Sequence, residues 1–137
     1  MAHDVDISGL LERAKTIAVV GCSPKPERDS HRVAAYLQQA GYRVIPVNPG
    51  VDEILGVKAY PDLASIPEGI DIDIVDVFRS PEHVPAVVDA VLERGAGALW
   101  LQLGCAHPES EQRAREAGLE VVSDHCIKVE HRARFGS

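Results

Sequence analysis

Residues 21–28, Gly-Cys-Ser-Pro-Lys-Pro-Glu-Arg, gather groups that suit a bound phosphate. They follow an apolar run and precede a helical pattern. A strand turning into a helix presents free backbone N–H groups at the positive end of the helix dipole, which favours an anion. Gly21 permits close approach of backbone to a ligand, Ser23 offers a hydroxyl, and Lys25 and Arg28 add cationic contacts. Pro24 and Pro26 limit the entropy lost when the loop orders. The dinucleotide fingerprint places three glycines in such a turn; this one has a single glycine. The plainer alternative is a surface loop with solvated charges.

The ends of the other apolar runs carry a second group of candidates. Val47-Asn48-Pro49 closes the next run. A nicotinamide dinucleotide site usually has Asp or Glu there to bond the ribose 2′-hydroxyl, and Asn48 is an amide. Arg43 sits too early in the run to read a 2′-phosphate. Asn-Pro also serves as ordinary turn chemistry. Phe78-Arg79-Ser80 offers a flat apolar face, a planar cation suited to phosphate and a helix-capping hydroxyl; Phe78 equally suits core packing. Trp100 and Gln102 alternate onto one face of their strand. Trp100 fits either a core or a ligand platform, and Gln102 requires a hydrogen-bond partner wherever it is buried.

The elements that must position these groups follow from periodicity. Ile7, Leu10, Leu11 and Ala14 make one face of a short helix. Residues 16–21, 42–49, 71–78, 96–104 and 119–126 are apolar runs bounded by turn residues, and they predict five strands. Helices are predicted from Asp29 or Ser30 (as cap) to Ala40, from Ser80 (as cap) to Arg94, and over 107–118. Residues 50–70 are turn-rich with a short helix near 62–65, and 127–135 add a last helical turn. Strands that alternate with helices and are apolar throughout predict an α/β fold, a doubly wound, mainly parallel five-stranded sheet in the order 3-2-1-4-5. In such a sheet ligands bind outside the carboxyl ends of the strands, where the candidate residues lie.

Composition narrows the partners. The chain has 137 residues, which predicts one domain over 1–137, and 14 basic against 21 acidic residues give a formal charge of −7. That balance argues against a nucleic-acid or anionic-membrane surface. No apolar stretch reaches the ~18–20 residues of a membrane helix, and the first residues do not read as a signal peptide. Three well-separated cysteines make a disulfide framework unexpected and point to a cytoplasmic setting.

Taken in order, Gly21-Cys22-Ser23 with its Arg28, "GYRVIPVNP" (41–49), "DIVDVFRSPE" (73–82), "WLQLG" (100–104) and the late "DHC" (124–126) resemble the CoA-binding domain family of small bacterial proteins. That family is similar to the N-terminal domain of the succinyl-CoA synthetase alpha subunit. The resemblance runs from about Ala14 to Phe135 and implies a Rossmann-like fold holding coenzyme A. It implies that Gly21 and Ser23 hold phosphate through the first turn, with Cys22 in the same cofactor-binding loop, Lys25 and Arg28 near the phosphates, and an adenosine border at Val47, Asn48 and Pro49. Phe78, Arg79 and Ser80 would line the middle of the ligand, with Trp100 and Gln102 toward the pantetheine end. His125 stands where the family often has arginine.

The expected function is therefore non-catalytic binding of coenzyme A or an acyl-CoA, as carrier, sensor or regulatory module. The alternatives are an NAD(P)-binding oxidoreductase or an acyl-CoA-handling enzyme that needs a partner subunit. The synthetase needs a phosphorylated histidine on a later domain, and the six histidines here form no metal spacing or triad. Neither catalytic residues nor a metal are expected. A thiol at a helix N-terminus has a lowered pKa, which makes Cys22 a candidate for a mixed disulfide with coenzyme A; Cys126 reads as a small, largely buried residue. The apolar last strand and basic tail are compatible with a homodimer.

Overall fold

The computed structural model describes residues 5–136. In chain order the elements are α1 (Ile7–Arg13), β1 (Thr16–Val20), α2 (Asp29–Gln39), β2 (Arg43–Val47), a small hairpin of β3 (Glu53–Ile54) and β4 (Val57–Lys58), β5 (Ile74–Val77), α3 (Val84–Arg94), β6 (Ala98–Leu101), α4 (Pro108–Glu116), β7 (Glu120–Ser123) and α5 (Ile127–Phe135). Short 3-10 turns at Leu63–Ser65 and Pro81–His83 complete the set. The five long strands are parallel, in the order β2-β1-β5-β6-β7. None of the helices is long and apolar enough to cross a membrane among the described residues.

The doubly wound α/β class is the expected one, but the place of one strand is not. Counted along the chain, the five strands run 2-1-3-4-5 rather than 3-2-1-4-5. The expected order puts residues 71–78 outside β2; instead β5 pairs with β1, with Val19 opposite Asp76. The position outside β2 is held by a single parallel bridge between Val47 and Tyr60. Tyr60 N–H donates to the Pro46 carbonyl (3.0 Å), and Asn48 N–H donates to that of Tyr60 (2.9 Å). The connection from β2 to β5 is long enough to leave this stub of a strand on one side of β1 and return on the other. The chain reverses its winding direction at β1 and β5, which is where a crevice opens in such sheets.

Burial explains why these runs became strands. Every residue of β1, β5 and β6 is buried, as expected for parallel strands covered on both faces. One face packs Val19 and Trp100 against Leu10 and Leu11 of α1, Val33 and Leu37 of α2 and Ile127 of α5. The other packs Ala18, Val75 and Leu99 against Val84, Val88 and Val91 of α3 and Ala114 of α4. The Asp73 carboxylate accepts from the N–H groups of Lys15 (2.8 Å) and Thr16 (2.9 Å), which sets where β1 begins.

Two helix starts differ from expectation. Arg28, not Asp29 or Ser30, is the N-cap of α2 and makes no side-chain cap bond. The Ser30 hydroxyl instead accepts from Ser23 N–H (2.9 Å), because the loop folds back over the first helical turn. Ser80 is the expected N-cap residue with Pro81 after it, but of the 3-10 turn Pro81–His83 that leads into α3, and its hydroxyl makes no cap bond. The tail forms a nine-residue helix rather than a single turn.

Candidate functional site

The loop after β1 is held by the neighbouring strands. Gly21 has φ +83°, and its N–H donates to the Val47 carbonyl (3.1 Å). A Cβ on Gly21 would drive into the Phe78 carbonyl oxygen, so the backbone it lets approach is the chain's own β5 exit. Asn48 donates from Nδ2 to the Cys22 carbonyl (2.8 Å) and accepts at Oδ1 from Gly50 N–H (2.7 Å). Its amide thus clamps the first loop to the second, with both polar atoms committed to backbone.

Ser23 is similarly engaged. Its hydroxyl accepts from Lys25 N–H (3.1 Å), and its carbonyl lies 2.9 Å from His31 Nδ1, which must carry the proton there because a carbonyl only accepts. Lys25 and Arg28 project from the exposed 24–28 turn. Among the described residues, neither they nor Arg79 have a carboxylate within ion-pair distance. Three free cations therefore flank the start of α2 and the end of β5 on a chain of net charge −7.

Beside Arg79, a cavity of about 230 Å³ opens between the carboxyl ends of β1 and β2 and the flank of α3. Val20, Val47, Leu63 and Val87 give it apolar walls, while Arg79, Asp62 and His83 supply polar atoms. Asp62 also accepts from the N–H (2.9 Å) and hydroxyl (2.7 Å) of Ser65, capping the 3-10 turn. Of the expected residues, Gly21, Val47, Pro49 and Arg79 line this cavity. Leu63, His83 and Val87 escape sequence reading, because turns and helices distant in sequence carry no strand-end signal.

Three expectations are corrected. Trp100 has no exposed surface and donates from Nε1 to the His125 carbonyl (2.9 Å), so it is core and not a ligand platform. Gln102, 4% exposed, accepts at Oε1 from Ile127 N–H (3.1 Å) and caps α5 rather than facing the crevice. Cys22 is fully buried, and its thiol is pushed up to about 11, first by burial and then by the Asp76 carboxylate. The helix N-terminus does not lower it, because the side chain turns into the core while the loop faces out. Phe78 is half-buried against the Trp100 side of the core.

Asp76 is the polar residue that periodicity passes over. It is fully buried in the middle of β5, between Val19 and Trp100, and neither carboxylate oxygen has a hydrogen-bond partner. Burial holds its pKa well above the ordinary carboxylate range. An acid inside the run Ile74-Val75-Asp76-Val77 is the available signal.

A doubly wound α/β sheet with a strand-end cavity, exposed cations at a strand–helix turn and an amide, Asn48, directly after β2 defines a Rossmann-like domain. The chain belongs to the CoA binding domain family, whose pattern matches residues 15–132. It is 48% identical over 126 residues, 92% of each chain, to the uncharacterized protein YneT of Bacillus subtilis. A hypothetical protein from Pyrococcus horikoshii has the same fold, with a TM-score of 0.91 at 42% identity over 96% of this chain and 91% of that one. The alpha subunit of ADP-forming acetate–CoA ligase II from Pyrococcus furiosus is 39% identical over 124 residues. That alignment takes in 82% of this chain but 27% of the ligase subunit, so the chain corresponds to one part of it.

Proposed function

We propose that the chain, as a single domain, binds coenzyme A or an acyl-CoA at the carboxyl edge of the sheet and performs no chemistry of its own. The observation that carries this reading is a strand-end cavity lined by Arg79, on the same carboxyl edge of the sheet as the exposed cations Lys25 and Arg28. At about 230 Å³ the cavity is smaller than the ~300–1,000 Å³ that encloses a whole drug-sized ligand. It suits one heterocycle of a longer molecule whose remainder crosses the open edge. Gly21, Val47, Pro49 and Arg79 would hold the nucleotide part, with Lys25 and Arg28 toward its phosphates. Asn48 acts indirectly, by fixing the loop. The bound coenzyme supplies a thiol for acyl attachment; what this chain supplies is capture, orientation and charge.

Among the described residues there is no cluster of His, Cys, Asp or Glu suited to a metal. The kinship with a ligase subunit supports a second reading, in which the domain serves a partner that carries the catalysis. Titration calorimetry with coenzyme A, acetyl-CoA, NAD and NADP tests the proposal. Binding of the two coenzyme A forms without the nicotinamides is expected; NADP binding with none of coenzyme A would overturn it. Arg28→Ala and Arg79→Ala should each weaken binding by about three- to tenfold and flatten its salt dependence. Unchanged affinity in both would place the phosphates elsewhere. Addition of a purified ligase catalytic subunit, with acyl-CoA formation as readout, tests the second reading.

A further inference from the structure

A second cavity, of about 640 Å³, opens at the amino edge of the sheet, opposite the crevice. In this fold the helices run antiparallel to the strands, so the amino edge collects helix carboxyl ends. Three meet here: Ala14, Ala40 and Gly136, the C-cap residues of α1, α2 and α5, all border the cavity. The carboxyl end of a helix carries roughly half a negative charge, and Glu12 adds a full one at the same rim.

Aromatic rings complete the surroundings. Tyr36, Tyr42 and Phe135 surround His131, with ring centroids 5.5, 5.6 and 5.2 Å from it. The Tyr36 hydroxyl pairs with His131 Nδ1 (2.8 Å), and the Tyr42 hydroxyl donates to the Leu11 carbonyl, so both hydroxyls are engaged by protein. Burial lowers the His131 pKa, which favours a neutral ring. Phe135 remains 45% exposed at the cavity mouth, which leaves much of its ring open to a ligand. Lys15 is the cationic side chain of the lining; it is exposed, and its flexible stem lets the ammonium sit in water. The Lys128 ammonium lies over the Tyr36 ring, 5.7 Å from its centroid, which leaves Tyr42 and Phe135 as the rings open to a ligand.

We propose that this amino-edge cavity binds an organic cation, an alkylammonium or guanidinium group seated against Tyr42 and Phe135 with Glu12 as counter-charge. Aromatic faces attract such cations, the converging helix ends add negative potential, and the apolar surface favours an organic over an inorganic ion. An anion meets the wrong end of three helices. The site lies away from the coenzyme crevice and does not depend on it.

The test is a titration of the intact protein with tetramethylammonium chloride and with free arginine, read by NMR at the His131 and Tyr36 rings. Sodium chloride at matched ionic strength and sodium acetate are the controls. Saturable shifts with both organic cations, at affinities on the order of 1 mM, are expected, with none from the controls. The double variant Glu12→Gln/Phe135→Leu should keep its circular dichroism spectrum and lose about tenfold in affinity. Non-saturating shifts, equal shifts from sodium chloride, saturation by acetate through Lys15, or full affinity in the double variant would each overturn the proposal. Coenzyme A titration of the same samples reads the other site separately.

Discussion

Gly21 and Phe78 meet backbone to backbone at the point where the sheet reverses direction: the Phe78 carbonyl occupies the space a Cβ on Gly21 would need. With φ at +83°, residue 21 combines a left-handed conformation with a closed space. Gly21→Ala should therefore destabilise the fold by more than about 2 kcal/mol, from the conformational penalty and the clash together. Urea denaturation measures it. A loss below about 0.5 kcal/mol would mean that β5 yields easily and that Gly21 is not fixed by packing.

Asn48 gives a comparison between two substitutions. Asn48→Ala removes the bond to the Cys22 carbonyl and should cost about 1 kcal/mol. Asn48→Asp should cost more, because a carboxylate oxygen then faces that carbonyl. Thermal unfolding of both variants checks the order. Wild-type stability in both would indicate that the clamp contributes little.

Asp76 links stability to pH with a defined sign. Its folded pKa is raised above the unfolded value near 4. Below that value both states hold the proton and burial of the neutral acid carries no ionisation cost. As pH rises, the unfolded chain releases its proton first, so this contribution to stability is lost progressively until the folded pKa is passed. Asp76→Asn cannot titrate. The urea midpoint of the variant relative to wild type should rise as pH increases above the unfolded carboxylate value of about 4; parallel curves would show that Asp76 is ionised or solvated in the fold.

The three thiols should differ in reactivity. Cys22 and Cys105 are buried and Cys126 is half-exposed. With the Cys22 pKa near 11, about one thiol in a thousand is ionised at pH 8. Iodoacetamide on the native protein should therefore modify Cys126 first, with Cys22 and Cys105 labelled only after denaturation. Peptide mapping decides it, and rapid native labelling of Cys22 would contradict the buried thiol.

Much of the sheet is legible in sequence because its central strands are buried on both faces and read as unbroken apolar runs, Thr16–Val20 above all. Strand order is less so. Nothing in residues 50–60 announces that Tyr60 will bridge β2, since one bridge leaves no periodicity. The strand-end residues that line the cavity, Gly21, Val47, Pro49 and Arg79, are readable because topology places every carboxyl end on one edge. Side-chain direction is not. Trp100 and Gln102 share the face covered by α5, and only the position of that helix removes them from the ligand. Cys22 misleads for a related reason: its loop faces solvent while its side chain points inward. Asp76 is passed over because apolar periodicity gives no account of an acid among buried neighbours.

The Tyr60 bridge also bears on how molecules of this protein meet. The outer flank of β2 is the place where a strand from another chain would seek pairing, and two of its backbone groups, the Pro46 carbonyl and Asn48 N–H, are already taken by Tyr60. A residue's nitrogen and carbonyl face the same side of a strand, so the outward nitrogen of Pro46 has no hydrogen to give. An incoming strand finds two groups occupied, one donor missing and a tyrosine in its path. The flank is protected against edge-to-edge growth, and self-association by continuing the sheet past β2 is disfavoured.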